Sequence, residues 1–383
     1  MKIVLATPIY PPEIGGPATY VRELATRLAK AEQITIVAFA DVGEVVDGVK
    51  LVLIGKKSGL LSRLTAFFFA LLKEAKGANV IYVQNAVAAG LPAVLAGALL
   101  KKPVVLKFVG DEAWERAAGA GKTQKTLEQF LAAPEGGVKT SIFIAIQKFV
   151  LTHASVVVPP SQFLGNILTQ YYGVSPTRVL VNYNAFEDPI PNETPTNRQP
   201  QQILSVSRLV SWKRVDGIIN AFKILKNTFS GATLVIAGVG PEEASLKKLA
   251  QESGLDQSVR FVGRLSHEQV LELEKESDVM VLNSTYEGLP HIVLEGFAAR
   301  TPVIATDIPG TREAVMHEKS GILVPKGDDA TLAVAIERVF NDAALREKIV
   351  VGGLLILKEK FSWEQHLTTL LAVFASAEEN KGT

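Results

Sequence analysis

Cysteine is absent from the 383 residues, which excludes disulfides, cysteine-ligated metals, iron–sulfur clusters and thiol catalysis together. Net charge is nearly absent too. The 40 Lys and Arg against 39 Asp and Glu leave +1, which argues against a dedicated nucleic-acid binder. A membrane-spanning run is also missing. Residues 77–100 are uncharged, but Asn79, Gln84, Asn85 and Pro92 interrupt them, and they read as a buried strand at Val80–Val83 followed by a helix over Ala86–Leu100. The opening Met1–Pro8 is too short an apolar run for a signal peptide, so a cytoplasmic location is expected. Tandem repeats and low-complexity tracts are lacking as well.

What is present points to a globular protein of two or three domains, at 48% hydrophobic and 21% charged residues. The near-zero charge hides an asymmetry. Residues 1–185 carry 19 basic and 12 acidic side chains, residues 186–383 carry 21 and 27, so the two halves face different partners. Between them, the proline-rich, apolar-poor segment 186–201 reads as a linker. Short β-branched runs alternate with amphipathic helical stretches in both halves, as in parallel sheets covered by helices. Strands are predicted at Ile3–Ala6, Ile34–Phe39, Val80–Val83, Val104–Phe108 and Val156–Val158. In the second half they are predicted at Ile203–Val206, Leu234–Ala237, Val259–Val262, Val279–Leu282 and Val303–Ala305. The expected architecture is two doubly wound domains facing each other across a cleft, with ligands at the C-terminal ends of the strands. Their spans are 1–185 and 202–360, and the helical pattern in 361–383 is expected to return to the first domain.

Four segments carry candidate chemistry. In Pro11-Pro12-Glu13-Ile14-Gly15-Gly16, the paired Gly15 and Gly16 would let backbone amides approach an anion at a helix start; an ordinary glycine loop reads the same way. After the strand at 203–206, Arg208 and Lys213 emerge where a diphosphate would bind. Arginine offers it two hydrogen bonds and lysine a point charge, each worth about 4 kcal/mol at ~4 Å in a partly screened site. Gly238 and Gly240 form a strand–turn–helix corner open to a flat or phosphorylated ligand. The fourth segment is Asn283–Glu295, which sets Glu287 in a loop and Glu295 one turn into a helix, both able to accept from sugar hydroxyls around a helix N-terminus. His291 reads as a helix-start residue.

With Glu287-x7-Glu295 and the Arg208/Lys213 pair, the chain resembles family 4 retaining glycosyltransferases of the GT-B fold, from Gly15-Gly16 to Phe361-Ser362-Trp363. The resemblance implies a hexose-transferring enzyme in polysaccharide, lipopolysaccharide or glycolipid synthesis. Arg208 and Lys213 would hold the donor diphosphate, Glu295 the ribose and Glu287 the transferred sugar. Backbone at Gly16, Gly288 and Leu289 would surround phosphates and sugar, and backbone around Val262-Gly263-Arg264 would read the base. No Asp-x-Asp occurs, so no metal and no other cofactor is expected beside the nucleotide-sugar co-substrate. Stabilisation of the leaving group would fall to the cations and a helix dipole. Val109 stands where many members carry an acceptor-side histidine; Asp111 is the replacement base, or else a turn or N-cap residue.

Leu60–Leu72, within a stretch 50–76 that carries Lys50, Lys56, Lys57, Arg63, Lys73 and Lys76 against the single acid Glu74, reads either as a helix packed on the sheet or as one lying on an anionic membrane surface. The partners expected are a nucleotide-sugar donor, a glycan or lipid-linked acceptor and that peripheral membrane contact, with no nucleic acid. The competing functions are a GT-B nucleotide-sugar epimerase and a non-catalytic nucleotide-sugar-binding module.

Overall fold

The computed structural model describes residues 1–13, 15–186 and 198–379. Two compact units divide the chain: Met1–Asn182 together with the helix from Leu367 onward, and Tyr183–His366. Residues 187–197 of the expected linker, and Ile14, lie outside the described residues, while Gln199–Gln201 already belong to a strand.

Each unit is built on a six-stranded sheet whose described pairings are all parallel. The first holds β1 (Lys2–Thr7), β2 (Gln33–Phe39), β3 (Val49–Ile54), β4 (Val80–Gln84), β5 (Val104–Lys107) and β6 (Val156–Val158), in the order β3-β2-β1-β4-β5-β6. The second holds β7 (Gln199–Val206), β8 (Thr233–Ala237), β9 (Val259–Gly263), β10 (Ser277–Leu282), β11 (Val303–Thr306) and β12 (Ile322–Val324), in the order β12-β11-β10-β7-β8-β9. Both repeat one doubly wound pattern, in which the strand order reverses at β1/β4 and at β7/β10. Central strands are buried on both faces, so they read as unbroken apolar runs such as Val80-Ile81-Tyr82-Val83.

All ten predicted strands form. The sequence reading missed β3 and β12, both edge strands. β3 is only half-buried and carries Lys50, and β12 is three residues long, so neither has the continuous apolar signature of a central strand. The uncharged segment 77–100 folds as β4 and the eleven-residue helix Gly90–Leu100, and no described helix is long and apolar enough to cross a membrane. The last helix, Trp363–Glu379, begins in the second unit and runs into the first. There the Phe374 ring meets Tyr82 edge-on at 5.4 Å, and Asn79 donates to Glu378.

Candidate active site

In the second unit the strand order reverses between β7 and β10, and the loops leaving the C-terminal ends of these two strands meet there. The β7 loop is fixed by backbone. Ser207 N donates to Ala237 O at 3.0 Å and Leu209 N to Val239 O at 3.0 Å; a single 3-10 turn, Ser211–Lys213, then leads to Arg214 in the left-handed region (φ 48°). Asn283 Nδ2 holds the Arg214 carbonyl at 3.1 Å, and the Arg214 guanidinium reaches Asp216 and Asp329 at 3.2 Å each.

The β10 loop is stapled onto this one. The Trp212 carbonyl accepts from Thr285 N at 2.7 Å and from Thr285 Oγ1 at 3.3 Å. That crossing brings Lys213 Nζ to Glu287 Oε1 at 2.5 Å, and Ser284 Oγ donates to the same oxygen at 2.6 Å. The two side chains retain only 15% and 10% exposure, so this is a largely desolvated pair whose partners hold each other in place. Arg208 stays exposed, its guanidinium 5.5 Å from the Trp212 ring centroid. An exposed cation beside a largely desolvated ammonium–carboxylate pair suits a ligand carrying both a diphosphate and hydroxyls.

Glu295 lies on the helix His291–Ala298, which Pro290 caps and His291 opens, as the sequence indicates. Its Oε1 is 3.8 Å from His267 Nδ1, and burial lowers the His267 pKa. Behind it sits Glu274, fully buried on the helix His267–Glu276, with neither carboxyl oxygen hydrogen-bonded. Burial first, then the Glu295 charge, push the Glu274 carboxyl well above its ordinary value. Because the folded-state value is the raised one, this group stabilises the fold below about pH 4.3, and that stability drains away as pH rises towards the folded-state value. Glu274→Gln is therefore expected to gain stability over the parent on going from pH 5 to pH 8, by up to about 1.4 kcal/mol per pH unit. Denaturant midpoints that differ equally at both pH values would contradict this.

The glycines divide into two kinds. A Cβ on Gly238 would sit 1.8 Å from Ser207 O, and one on Gly240 would sit 2.2 Å from Leu209 O, so the protein's own loop-on-loop packing demands glycine at both. Gly238 N also donates to Gly263 O at 2.7 Å, tying the end of β9 and half-buried Val262 to the same corner. Gly263 has φ +70°, and a Cβ added there would meet nothing within 4 Å. Gly288 and Leu289 are buried in the β10 loop. The sequence reading missed Gly310, whose Cβ would lie 2.0 Å from Glu287 O; its only signal is the Pro309-Gly310 pair after β11.

In the first unit, exposed Gly16 opens the helix Gly16–Leu28, and Gly15 precedes it in extended backbone. Asp111 is not an accessible base. It is fully buried and N-caps the helix Glu112–Gly119, accepting from Trp114 N at 2.8 Å, Gln147 Nε2 at 2.9 Å and the Tyr172 hydroxyl. Burial outweighs those hydrogen bonds and raises its pKa. The alternative reading, a helix cap, is the one that forms. Two polar residues at the ends of β4 and β5 were not among the expected site residues. Asn85 holds φ 75° and binds Glu112 Oε2 at 2.6 Å through Nδ2. Lys107 is buried with Nζ 3.8 Å from the Tyr20 ring centroid, and burial lowers it to about 7. A lysine closing an otherwise apolar strand was the available signal.

Residues 186–353 match the family described as Glycosyl transferases group 1, and residues 15–185 match the Glycosyl transferase 4-like domain. Glycogen synthase of Mycobacterium tuberculosis is 28% identical over 240 residues, covering 62% of this chain and 58% of that one. The lipopolysaccharide core biosynthesis glycosyltransferase LpsD of Rhizobium meliloti is 36% identical over 160 residues, covering 42% and 45%. The chain thus spans about half the length of the curated relatives it matches. The solved structure of Anabaena HepE with UDP-glucose superposes with a TM-score of 0.78 at 18% identity, over 98% of this chain and 100% of that one. Two matched domains in series, each on its own doubly wound sheet, place the chain among the group 1, family 4-type glycosyltransferases of the GT-B fold.

Proposed function

We propose that this chain transfers a sugar from a nucleotide-diphosphate sugar to a glycan or lipid-linked acceptor, in polysaccharide, lipopolysaccharide or glycolipid synthesis on the cytoplasmic side of a membrane. The reaction retains anomeric configuration and needs no metal. The observation that carries this reading is the cross-loop pair: Lys213 on the β7 loop meets Glu287 on the β10 loop at 2.5 Å, with Arg208 outside it. The diphosphate takes its charge compensation from Arg208 and Lys213, and the amides opening the helix His291–Ala298 add a positive end. Glu287 accepts from hydroxyls of the transferred sugar, and Glu295 from the ribose. As the sugar–phosphate bond breaks, negative charge grows on the leaving diphosphate, so cations already fixed there stabilise the transition state more than the ground state. The acceptor attacks from the same face as the departing diphosphate.

HepE was solved in complex with UDP-glucose, which makes that donor the first to try. The test incubates EDTA-treated protein with uridine, guanosine and adenosine diphosphate sugars, with and without glycan or lipid-linked acceptors. Nucleotide release that requires acceptor, with a product of the donor's own anomeric configuration, is the expected result. Release without acceptor and a changed sugar would assign an epimerase instead. Donor binding with no turnover on any acceptor would leave a binding module, and strict dependence on added metal would overturn the metal-free mechanism.

A further inference from the structure

The donor chemistry leaves one buried group of the second unit without a task. Glu274 is fully buried on the helix His267–Glu276, and neither carboxyl oxygen has a hydrogen-bond partner. Donors around it are committed elsewhere. Gln202 Nε2 donates to Ser277 Oγ at 3.1 Å, Ser277 Oγ to Leu273 O at 2.6 Å, and Thr301 Oγ1 to the Glu274 backbone carbonyl instead of its carboxyl. An apolar side chain of similar size would avoid the cost of such an orphan, so the acid itself needs a reason.

Helical spacing supplies one. Residues 267 and 274 lie about two turns apart on one stripe of the helix. That helix packs against His291–Ala298, where Glu295 Oε1 stands 3.8 Å from His267 Nδ1 and the Glu295 charge also acts on Glu274. The other charged residues of the helix, Glu268, Glu272, Lys275 and Glu276, fall on its remaining sides, and Lys275 pairs with Glu272 at 2.6 Å. Toward β7 and β10, Asp278 accepts from Gln201 N at 2.6 Å and Arg198 donates to Arg300 O. None of these groups hydrogen-bonds the Glu274 carboxyl. Two carboxyl groups across one dry interface favour a single negative charge.

We propose that Glu274 is a positioning residue for donor binding: its proton leaves Glu295 the only anion between the two helices, and the donor binds that protonated form. The inference rests on the donor site proposed above, in which Glu295 accepts from the ribose. Ribose over Glu295 displaces water from that carboxylate, and the lower local dielectric strengthens its repulsion of an ionised Glu274. Deprotonation of Glu274 therefore weakens donor binding, and by reciprocity the donor tightens the hold of Glu274 on its proton. Glu274 itself touches no ligand. Affinity is full where Glu274 is protonated and falls as pH rises through its folded-state value, which burial and the Glu295 charge set well above the ordinary carboxylate range. His267 is the other titrating group beside Glu295. Burial lowers it, so it is neutral above pH 7 and contributes no slope there.

The test is calorimetry with a nucleotide-diphosphate sugar, whose phosphates have no proton to lose between pH 7 and pH 8.5. In the parent, donor affinity is expected to fall about fivefold or more across that range. Binding at pH 8 is expected to take up protons, read from the heats in two buffers of different ionisation enthalpy. Glu274→Gln should lose both the slope and the proton uptake, whereas His267→Gln should keep both; a merely structural role for Glu274 would leave the pH profile in place. Donor binding by the parent without proton uptake overturns the proposal, and that measurement stands even if Glu274→Gln does not fold. A parental slope retained in Glu274→Gln, or lost in His267→Gln, overturns it as well. Absence of donor binding by the parent at every pH overturns the donor site and this inference together, which separates the two failures.

Discussion

Lys213→Ala is expected to weaken binding of the nucleotide-sugar donor about 100-fold, equivalent to about 2.7 kcal/mol, in calorimetry on EDTA-treated protein. Two terms add in that number. The variant removes a cation from beside the diphosphate, and it leaves the Glu287 carboxylate, which is 10% exposed, without its ammonium partner. An uncompensated carboxylate in that site repels an incoming dianion as well as lacking compensation of its own. Lys213→Arg should restore part of the loss, since the charge returns with a different reach. Glu287→Gln separates the two roles. It frees Lys213, so free nucleoside diphosphate should bind within a few-fold of the parent, while sugar transfer falls about 100-fold or more because the sugar loses its acceptor group. Unchanged donor affinity in Lys213→Ala, with the melting transition intact, would remove the donor site from these two loops.

How much of this was legible in the sequence depends on which physical constraint wrote each residue. Central strands are legible because burial on both faces forces continuous apolar runs; the edges β3 and β12 are not, because half of each faces solvent or ends after three residues. Arg208, Lys213, Glu287 and Glu295 stand out because charged residues follow strand ends at a fixed spacing. Their pairing is a different matter. That Lys213 meets Glu287 depends on Thr285 bonding the Trp212 carbonyl, a contact between residues 73 positions apart that no local pattern encodes. Asp111 shows the limit from the other side. Its neighbourhood Gly110-Asp111-Glu112 allows a base or a cap, and Gln147 and Tyr172, which decide for the cap, come from elsewhere in the chain. Glu274 reads as one more acid on an amphipathic helix until burial reveals that it faces inward.

Gly238→Ala is the second large effect, and it tests whether the β7 loop depends on backbone contact alone. The alanine Cβ would have to occupy a point 1.8 Å from Ser207 O, far inside contact distance, at φ +133°, where side chains are strained. Backbone strain of about 1–3 kcal/mol adds to about 1–3 kcal/mol for overpacking. The second unit should melt about 10 °C lower as a result. Relief can come only by moving Ser207, and Arg208 is the next residue, so donor affinity should fall at least tenfold even at temperatures where the variant is folded. Gly263→Ala is the matched comparison. It also has a positive φ, +70°, but nothing lies within 4 Å of its Cβ, so it should cost about 1–2 kcal/mol of conformational strain without displacing Ser207. If both variants lose stability and affinity equally, conformation alone governs the corner. If Gly238→Ala loses far more of both, the glycine is there so that the β8 corner can press against the β7 loop and hold Arg208 beside the Lys213–Glu287 pair.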